Sequence, residues 1–170
     1  MRPPTRGSVN PNSLGIRCCG PRRTQQLIAV ATNILVCVHR WDSDWHEPAV
    51  SLIKELAEGL DQWSVPWPSI HEFFAIVAHP NIYAPPSTVR QATAQIDAWL
   101  DSASLVLLGE SRDHWTTLKG LLAQGKVRGP LFHDTRIAAL CISHGIIEFL
   151  TADRDFSRFP TLSTGNPLLT

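Results

Sequence analysis

A chain of 170 residues with 44% hydrophobic and 18% charged residues is long and apolar enough for one domain with a real core. Its 15 Lys and Arg balance 15 Asp and Glu, so any nucleic-acid binding must depend on a local basic patch rather than on net charge. No run of 18 apolar residues exists, which excludes a transmembrane helix, and the four cysteines lack the spacing of a zinc finger or a disulfide scaffold. We therefore expect reduced thiols and a cytoplasmic location.

The first 26 residues differ from the rest in composition. They are basic, rich in Pro and Gly, and contain no Asp or Glu. No apolar stretch follows the charges, as a secretory signal would require, and Pro3, Pro4 and Pro11 disfavour an amphipathic transit helix. We interpret residues 1–26 as a disordered basic extension, either native or added by a start codon placed too far upstream, and residues 27–170 as the folded domain.

Four short apolar runs alternate with segments of helical periodicity along the chain. The runs predict strands at residues 27–30, 63–65, 105–108 and 147–150. Helices are predicted from near residue 34, at 48–60, at 69–78, from 87, at 113–123 and at 134–144. Thr32, Asn33, Ser69 and Ser87 are expected to cap helices. Such alternation is typical of an α/β domain with a mostly parallel central sheet covered by helices, in which ligands bind beyond the carboxyl ends of the strands.

Acidic residues fall where that rule places a binding site. Asp153 and Asp155 follow the fourth strand, Asp134 opens a late helix, and Glu72 lies in a strongly apolar helix. Each has an ordinary alternative: an Asx turn for Asp153, a helix N-cap for Asp134, and an exposed position near a helix start for Glu72. Together the carboxylates suit a hard divalent ion, Mg²⁺ or Mn²⁺.

These segments resemble the PIN domain, in particular the VapC-type toxins of bacterial toxin–antitoxin pairs. The resemblance covers residues 27–167 and rests on IAVATNILV at 28–36, Glu72 with Phe73, DTRIAAL at 134–140 and TADRDFSRF at 151–159. It implies a three-layer fold and an endoribonuclease that uses Mg²⁺ or Mn²⁺, forms a homodimer and is silenced by a cognate antitoxin.

The resemblance also implies roles for individual residues. Glu72, Asp134 and Asp153 match the family's catalytic, metal-binding acids, and Asp155 matches a further metal-site acid. The supporting polar residues are Thr32, Asn33 and Thr151.

This sequence departs from the family at position 31, where the first acid of the site is replaced by Ala31. Alanine can neither bind a metal nor orient a water molecule. Three explanations stay open: an engineered inactivating substitution, a natural degenerate copy, or a site whose remaining acids still hold one metal weakly. The function expected is an endoribonuclease toxin that is weakened or inactive, and the alternative is a non-catalytic binding protein that sequesters antitoxin.

Basic and aromatic residues add less specific predictions. Contacts to RNA phosphates are expected from Arg128, Arg136 and Arg154, with Lys126 and Arg158 also near the acidic segments. Solvated surface cations and salt bridges to Asp155 or Asp134 are equally good interpretations of each. Trp41 and Trp45 are expected to share a helical face and to pack in the core, with a partner groove as the alternative.

Overall fold

The computed structural model describes residues 27–125 and 127–169. The predicted extension at residues 1–26 and the candidate Lys126 lie outside the described residues. None of the described helices has both the length and the apolar character needed to cross a lipid bilayer.

Five parallel strands form one sheet in the order β3-β2-β1-β4-β5. The strands are β1 Ile28–Val30, β2 Trp63–Pro66, β3 Leu105–Leu108, β4 Glu148–Leu150 and β5 Ser163–Gly165. The helices are α1 Thr32–His39, α2 His46–Glu58, α3 Trp67–Val77, α4 Val89–Leu100, α5 His114–Gln124 and α6 Leu131–Ser143, and a 3-10 turn spans Arg154–Arg158. The predicted α/β class and parallel sheet are confirmed, and β5 is a strand that the sequence analysis missed.

Two apolar layers cover the sheet, because successive residues of a strand point to opposite faces. Val30 of β1 packs into the layer formed with α1 to α4, which includes Ile34, Phe73 and Trp99. Ala29 and Ala31 pack into the other layer with α6 and the 3-10 turn. The central strand is therefore buried on both faces, and its carboxyl end opens between the layers.

Several predicted helix caps are wrong. Helix α1 begins at Thr32, directly after Ala31, so neither Thr32 nor Asn33 caps it. Ser69 lies inside α3, which already begins at Trp67 because Pro66 and Pro68 suit a helix start. Thr88 rather than Ser87 caps α4, through a capping box with Gln91.

The expectation for Trp41 and Trp45 is also wrong. Trp41 lies in the turn after α1 and is 81% exposed, whereas Trp45 is the residue before α2 and is 43% exposed. Neither side chain packs in the core. The buried tryptophans are Trp63 of β2 and Trp99 of α4, and both pack in the apolar layer formed with α1 to α4.

Candidate active site

The carboxyl end of β1 forms the floor of a cavity. The backbone N–H of Ala31 donates to the carbonyl of Leu150 at 3.0 Å, which extends the pairing of β1 with β4 by one residue. Ala31 is 3% exposed. Ala31 lines the cavity together with residues from the start of α1 and from the loop after β4.

Glu72 is held at this cavity by α1. The hydroxyl of Thr32 donates to Glu72 Oε2 at 2.5 Å, joining the first turn of α1 to the middle of α3. Thr32 is buried, whereas Glu72 is exposed. Of the two interpretations left open for Glu72, the structure shows the exposed position, and the contact with Thr32, not burial, fixes its carboxylate.

Asn33 positions the segment that carries Asp153. Its amide Nδ2 donates to Thr151 Oγ1 at 2.9 Å, and its Oδ1 accepts from the N–H of Ala152 at 3.2 Å. Thr151 Oγ1 also accepts from the N–H of Asp153 at 3.1 Å. Because these bonds join residues 118 and 119 positions apart in sequence, they lock α1 against the loop after β4.

Asp153 combines both interpretations given from its sequence. Its Oδ1 accepts from the N–H of Asp155 at 2.8 Å and caps the 3-10 turn, as an Asx turn would. The same carboxylate lines the cavity. Asp155 instead pairs with Arg158 at 3.2 Å on the surface.

Asp134 enters from α6, but not as a helix cap. Helix α6 begins at Leu131, so Asp134 lies within its first turn. Thr135, the next residue, is fully buried and donates to the Leu131 carbonyl at 2.7 Å. The N-cap interpretation is wrong, and Asp134 instead lines the same cavity as Glu72 and Asp153.

The three acids meet around a cavity of about 190 Å³. Its polar lining is Thr32, Asn33, Glu72, Asp134 and Asp153, and its apolar lining is Ala31, Ile76, Ile137 and Phe156. Apart from Ala31, the apolar lining was not predicted from sequence, although Ile76 lies one helical turn after Glu72 and Ile137 nearly one turn after Asp134, spacings that place each pair on one face.

Burial and neighbouring charge change the ionisation of one acid. Desolvation is the main cause that raises the pKa of Asp134 to about 6, followed by the carboxylates of Asp153, Glu72 and Asp155. His133 opposes this shift only weakly. The cavity thus concentrates negative charge that its own residues do not neutralise.

Carboxylate oxygens at this cavity have the chemistry that Mg²⁺ and Mn²⁺ prefer, and a cation would relieve the repulsion acting on Asp134. Within residues 27–125 and 127–169, however, no three acidic, His or Cys side chains are placed to hold one ion together. The donors present fit the metal, but they do not form a complete ligand set, and Ala31, which lines the same cavity, adds no ligand.

The arginines predicted to contact RNA differ in their surroundings. Arg136 donates from Nη2 and Nε to Glu110 Oε1 at 2.7 and 2.9 Å, and it lines the groove next to the acid cavity. Arg128 and Arg154 are exposed. The salt-bridge interpretation therefore holds for Arg136 and Arg158, although with Glu110 rather than Asp134 as the partner of Arg136.

Comparison with known proteins agrees with this architecture. The family model described as "PIN domain" matches residues 28–162. The chain belongs to the PIN-domain family. Among curated PIN-domain relatives, VapC ribonuclease Mb2897 of Mycobacterium bovis is 26% identical over 142 residues, covering 84% of this chain and 96% of that protein. Ribonuclease VapC48 of Mycobacterium tuberculosis is 25% identical over 135 residues, covering 79% and 93%.

Solved PIN-domain structures share the fold at lower identity. VapBC2 from Rickettsia felis, bound to a promoter DNA fragment, superposes with a TM-score of 0.59 at 17% identity, covering 82% of this chain and 98% of that one. VapC20 from Mycobacterium tuberculosis, a sarcin-ricin loop cleaving toxin, gives a TM-score of 0.59 at 19% identity, covering 76% and 92%. These likenesses extend over nearly the whole length of each structure.

Proposed function

We propose that this PIN-domain protein is a metal-dependent endoribonuclease toxin of a toxin–antitoxin pair, and that its activity is weakened or lost because Ala31 replaces the first acid. The observation that carries the proposal is the convergence of Glu72, Asp134 and Asp153 on one cavity at the carboxyl end of the central strand. The relatives named as VapC ribonucleases support the reaction class.

Each residue has a distinct task in the proposed chemistry. A bound Mg²⁺ or Mn²⁺ would stabilise charge on the phosphoryl group and lower the pKa of the attacking water. Glu72, Asp134 and Asp153 would hold that ion, with Asp155 adding negative charge from the surface. Thr32 orients Glu72 through its 2.5 Å hydrogen bond.

The remaining polar residues serve positioning and substrate contact. Asn33 and Thr151 hold the segment that carries Asp153. Arg128, Arg136 and Arg154 are proposed contacts to RNA phosphates, because a negative cavity by itself repels the RNA backbone. Arg136 lines the groove beside that cavity, Arg154 follows Asp153 in sequence, and Arg128 is exposed in the loop before α6.

The proposed partners follow from the relatives. The solved structures include VapBC and FitAB complexes, in which a toxin of this fold is bound to a second protein. We propose a cognate antitoxin and a homodimer for this chain too, acting in the cytoplasm where the RNA substrate is found.

Restoring the missing acid tests the proposal. Ala31→Asp should give RNA cleavage that requires Mg²⁺ or Mn²⁺ and stops with chelator, with a gain over the unaltered chain on the order of 10²- to 10³-fold, the usual effect of one site group. Ala31→Asn is the matched control, because it has the same size without the charge and should not restore cleavage. An Ala31→Asp protein that binds metal tightly and leaves every tested RNA intact would contradict the nuclease proposal.

One observation favours a second function, a non-catalytic PIN-fold protein that sequesters antitoxin. No preassembled metal-binding set is found in the described part of the chain. Under this alternative, the unaltered chain and Ala31→Asp would bind antitoxin equally well, and neither would cleave RNA with metal.

A further inference from the structure

A second cavity, of about 380 Å³, lies at the start of helices α5 and α6 and is called here the Trp115 cavity. Its rim carries two exposed aromatic rings, Trp115 at 60% and Phe132 at 39% exposure. Arg112 and Arg136 lie beside them. Concave sites of this size that combine aromatic rings with a few polar groups are typical of small-ligand pockets.

Shared lining residues link the Trp115 cavity to the acid cavity by way of one groove. Arg136 lines both the Trp115 cavity and a neighbouring groove. That groove is lined in turn by Glu72 and Ile137, which also line the acid cavity. An extended polymer with its reacting phosphate at the acids would therefore reach the Trp115 cavity along one path.

The side chain of His114 lies at the base of this cavity and is only 6% exposed. In the described part of the chain, neither of its ring nitrogens has a hydrogen-bond partner, and the nearest carboxylate, Glu110 Oε1, is 3.9 Å from Nε2. Burial is the main cause that lowers the pKa of His114, so the imidazole is neutral at physiological pH. Because both ring nitrogens are inaccessible to solvent, His114 forms part of the cavity wall and is not a hydrogen-bonding contact for a ligand.

The charges around the rim favour an anionic polymer. Two guanidinium groups, Arg112 and Arg136, face one carboxylate, Glu110, which is itself half exposed. The bonds from Glu110 to Nε and Nη2 of Arg136 fix the guanidinium and leave its Nη1 for another acceptor.

We propose that the Trp115 cavity binds an unpaired base of single-stranded RNA. The base stacks on Trp115 or Phe132, while Arg112 and Arg136 contact the phosphates on either side. Unpaired bases stack on aromatic side chains without strong sequence preference, and Arg neutralises the backbone between them. The inference rests on the proposed function, because it supplies the substrate with a foothold next to the acids. A second copy of the chain is the competing occupant, but the groove that shares residues with both cavities favours RNA, because a strand whose phosphate lies at the acids would pass along it.

The test measures binding of a fluorescently labelled single-stranded RNA to the full chain, in chelator, so that cleavage plays no part. Trp115→Ala should weaken binding about 5- to 100-fold, the range for loss of one base stack. Trp115→Phe keeps an aromatic face and should recover most of the affinity. Trp41→Ala is the matched control, because Trp41 is 81% exposed and lines a different cavity, and it should bind as the unaltered chain does.

A second variant separates stacking from charge. Arg112→Gln should reduce the slope of log affinity against log salt by about one phosphate contact, whereas Trp115→Ala should leave that slope unchanged. Light scattering on every variant reports the oligomeric state at the concentrations used.

Three results would overturn the inference. In the first, Trp115→Ala and the unaltered chain bind RNA equally well. In the second, the unaltered chain does not bind RNA at about 100 µM protein. In the third, Trp115→Ala dissociates an oligomer while RNA binding per protomer stays unchanged. The last would assign the cavity to a second copy. If Trp115→Ala weakens binding but Ala31→Asp never cleaves RNA, the nuclease proposal fails alone; if Ala31→Asp cleaves and Trp115→Ala binds normally, the stacking site fails alone.

Discussion

Replacing Asp134 with Asn tests whether the acid cavity stores electrostatic repulsion. The side chains have nearly the same shape, so the change removes charge with little effect on packing. The pKa of Asp134 is raised from 3.8 to about 6, chiefly by burial and then by the carboxylates of Asp153 and Glu72. The folded chain therefore binds the Asp134 proton more tightly than the unfolded chain does.

The sign of the effect follows from linkage. Folding favours the protonated form, so the stability associated with this proton is fully present below about pH 4 and is lost as the pH rises through about 6. A shift of about two pKa units corresponds to at most roughly 3 kcal/mol. Asp134 is only partly buried, and solvent screening should reduce the effect to roughly 1–2 kcal/mol.

Urea denaturation in chelator, at about pH 4 and about pH 7.5, measures the free energy of unfolding of both proteins. The free energy of unfolding of Asp134→Asn, relative to that of the unaltered chain, should be roughly 1–2 kcal/mol higher at the higher pH than at the lower pH. Asp97→Asn, the same chemical change on the exposed surface of α4, is the control for removing a carboxylate far from the cavity, and it should not reproduce the gain of Asp134→Asn. Added Mn²⁺ should stabilise the unaltered chain more than Asp134→Asn, because the variant lacks a ligand charge.

Two results would refute this reasoning. One is a stability difference between Asp134→Asn and the unaltered chain that is the same at both pH values. The other is a stability difference that favours the variant less at about pH 7.5 than at about pH 4. That result would mean that the helix dipole or an unseen partner stabilises the Asp134 carboxylate more than its neighbours repel it.

Two further substitutions test the elements that support the cavity. Thr151→Val removes the hydroxyl that accepts from Asn33 and from the N–H of Asp153, so we expect a loss of roughly 1–3 kcal/mol in urea denaturation and weaker Mn²⁺ binding by calorimetry. Thr151→Ser keeps the hydroxyl and should retain the metal affinity. Equal Mn²⁺ affinities in all three proteins would contradict the positioning role of Thr151. Phe73→Ala opens a cavity where a fully buried ring packs edge-on against Trp99 at 4.8 Å, so we expect a loss of about 3–5 kcal/mol, measured by the same denaturation, whereas a loss below about 1 kcal/mol would show that the layer between α3 and α4 refills the space.

The amino-acid pattern predicted the class of fold and, with the family resemblance, three acids that line one cavity, Glu72, Asp134 and Asp153. Short apolar runs such as residues 105–108, alternating with helices of clear period, allow few arrangements other than a covered parallel sheet. The motifs around Asp134 and Asp153 predicted a shared site because strands of such a sheet end at one edge. The strand β5, by contrast, has only three residues and is mostly exposed, so its sequence lacks the apolar run that marks a buried strand. It is held in the sheet by its pairing with β4.

Helix starts and side-chain exposure were decided by the tertiary structure. Thr32 and Asn33 have the chemistry of helix caps, which the local sequence predicted, whereas the family resemblance predicted a supporting role at the site. In the fold they bond instead to Glu72 and to Thr151, which lie 40 and 118 positions away in sequence. No local pattern encodes such a preference, because the competing partners exist only after α3 and the loop after β4 have packed against α1.

The Trp115 cavity likewise depends on packing between elements distant in sequence. His114 and Arg136 lie on different helices, and the sequence gives no spacing that joins them. Their proximity follows from the packing of α5 against α6, with Glu110 within 4.0 Å of both side chains. Composition determines that such groups are present, but only the closed fold decides which of them remain without a partner, because burial and pairing are properties of the assembled chain.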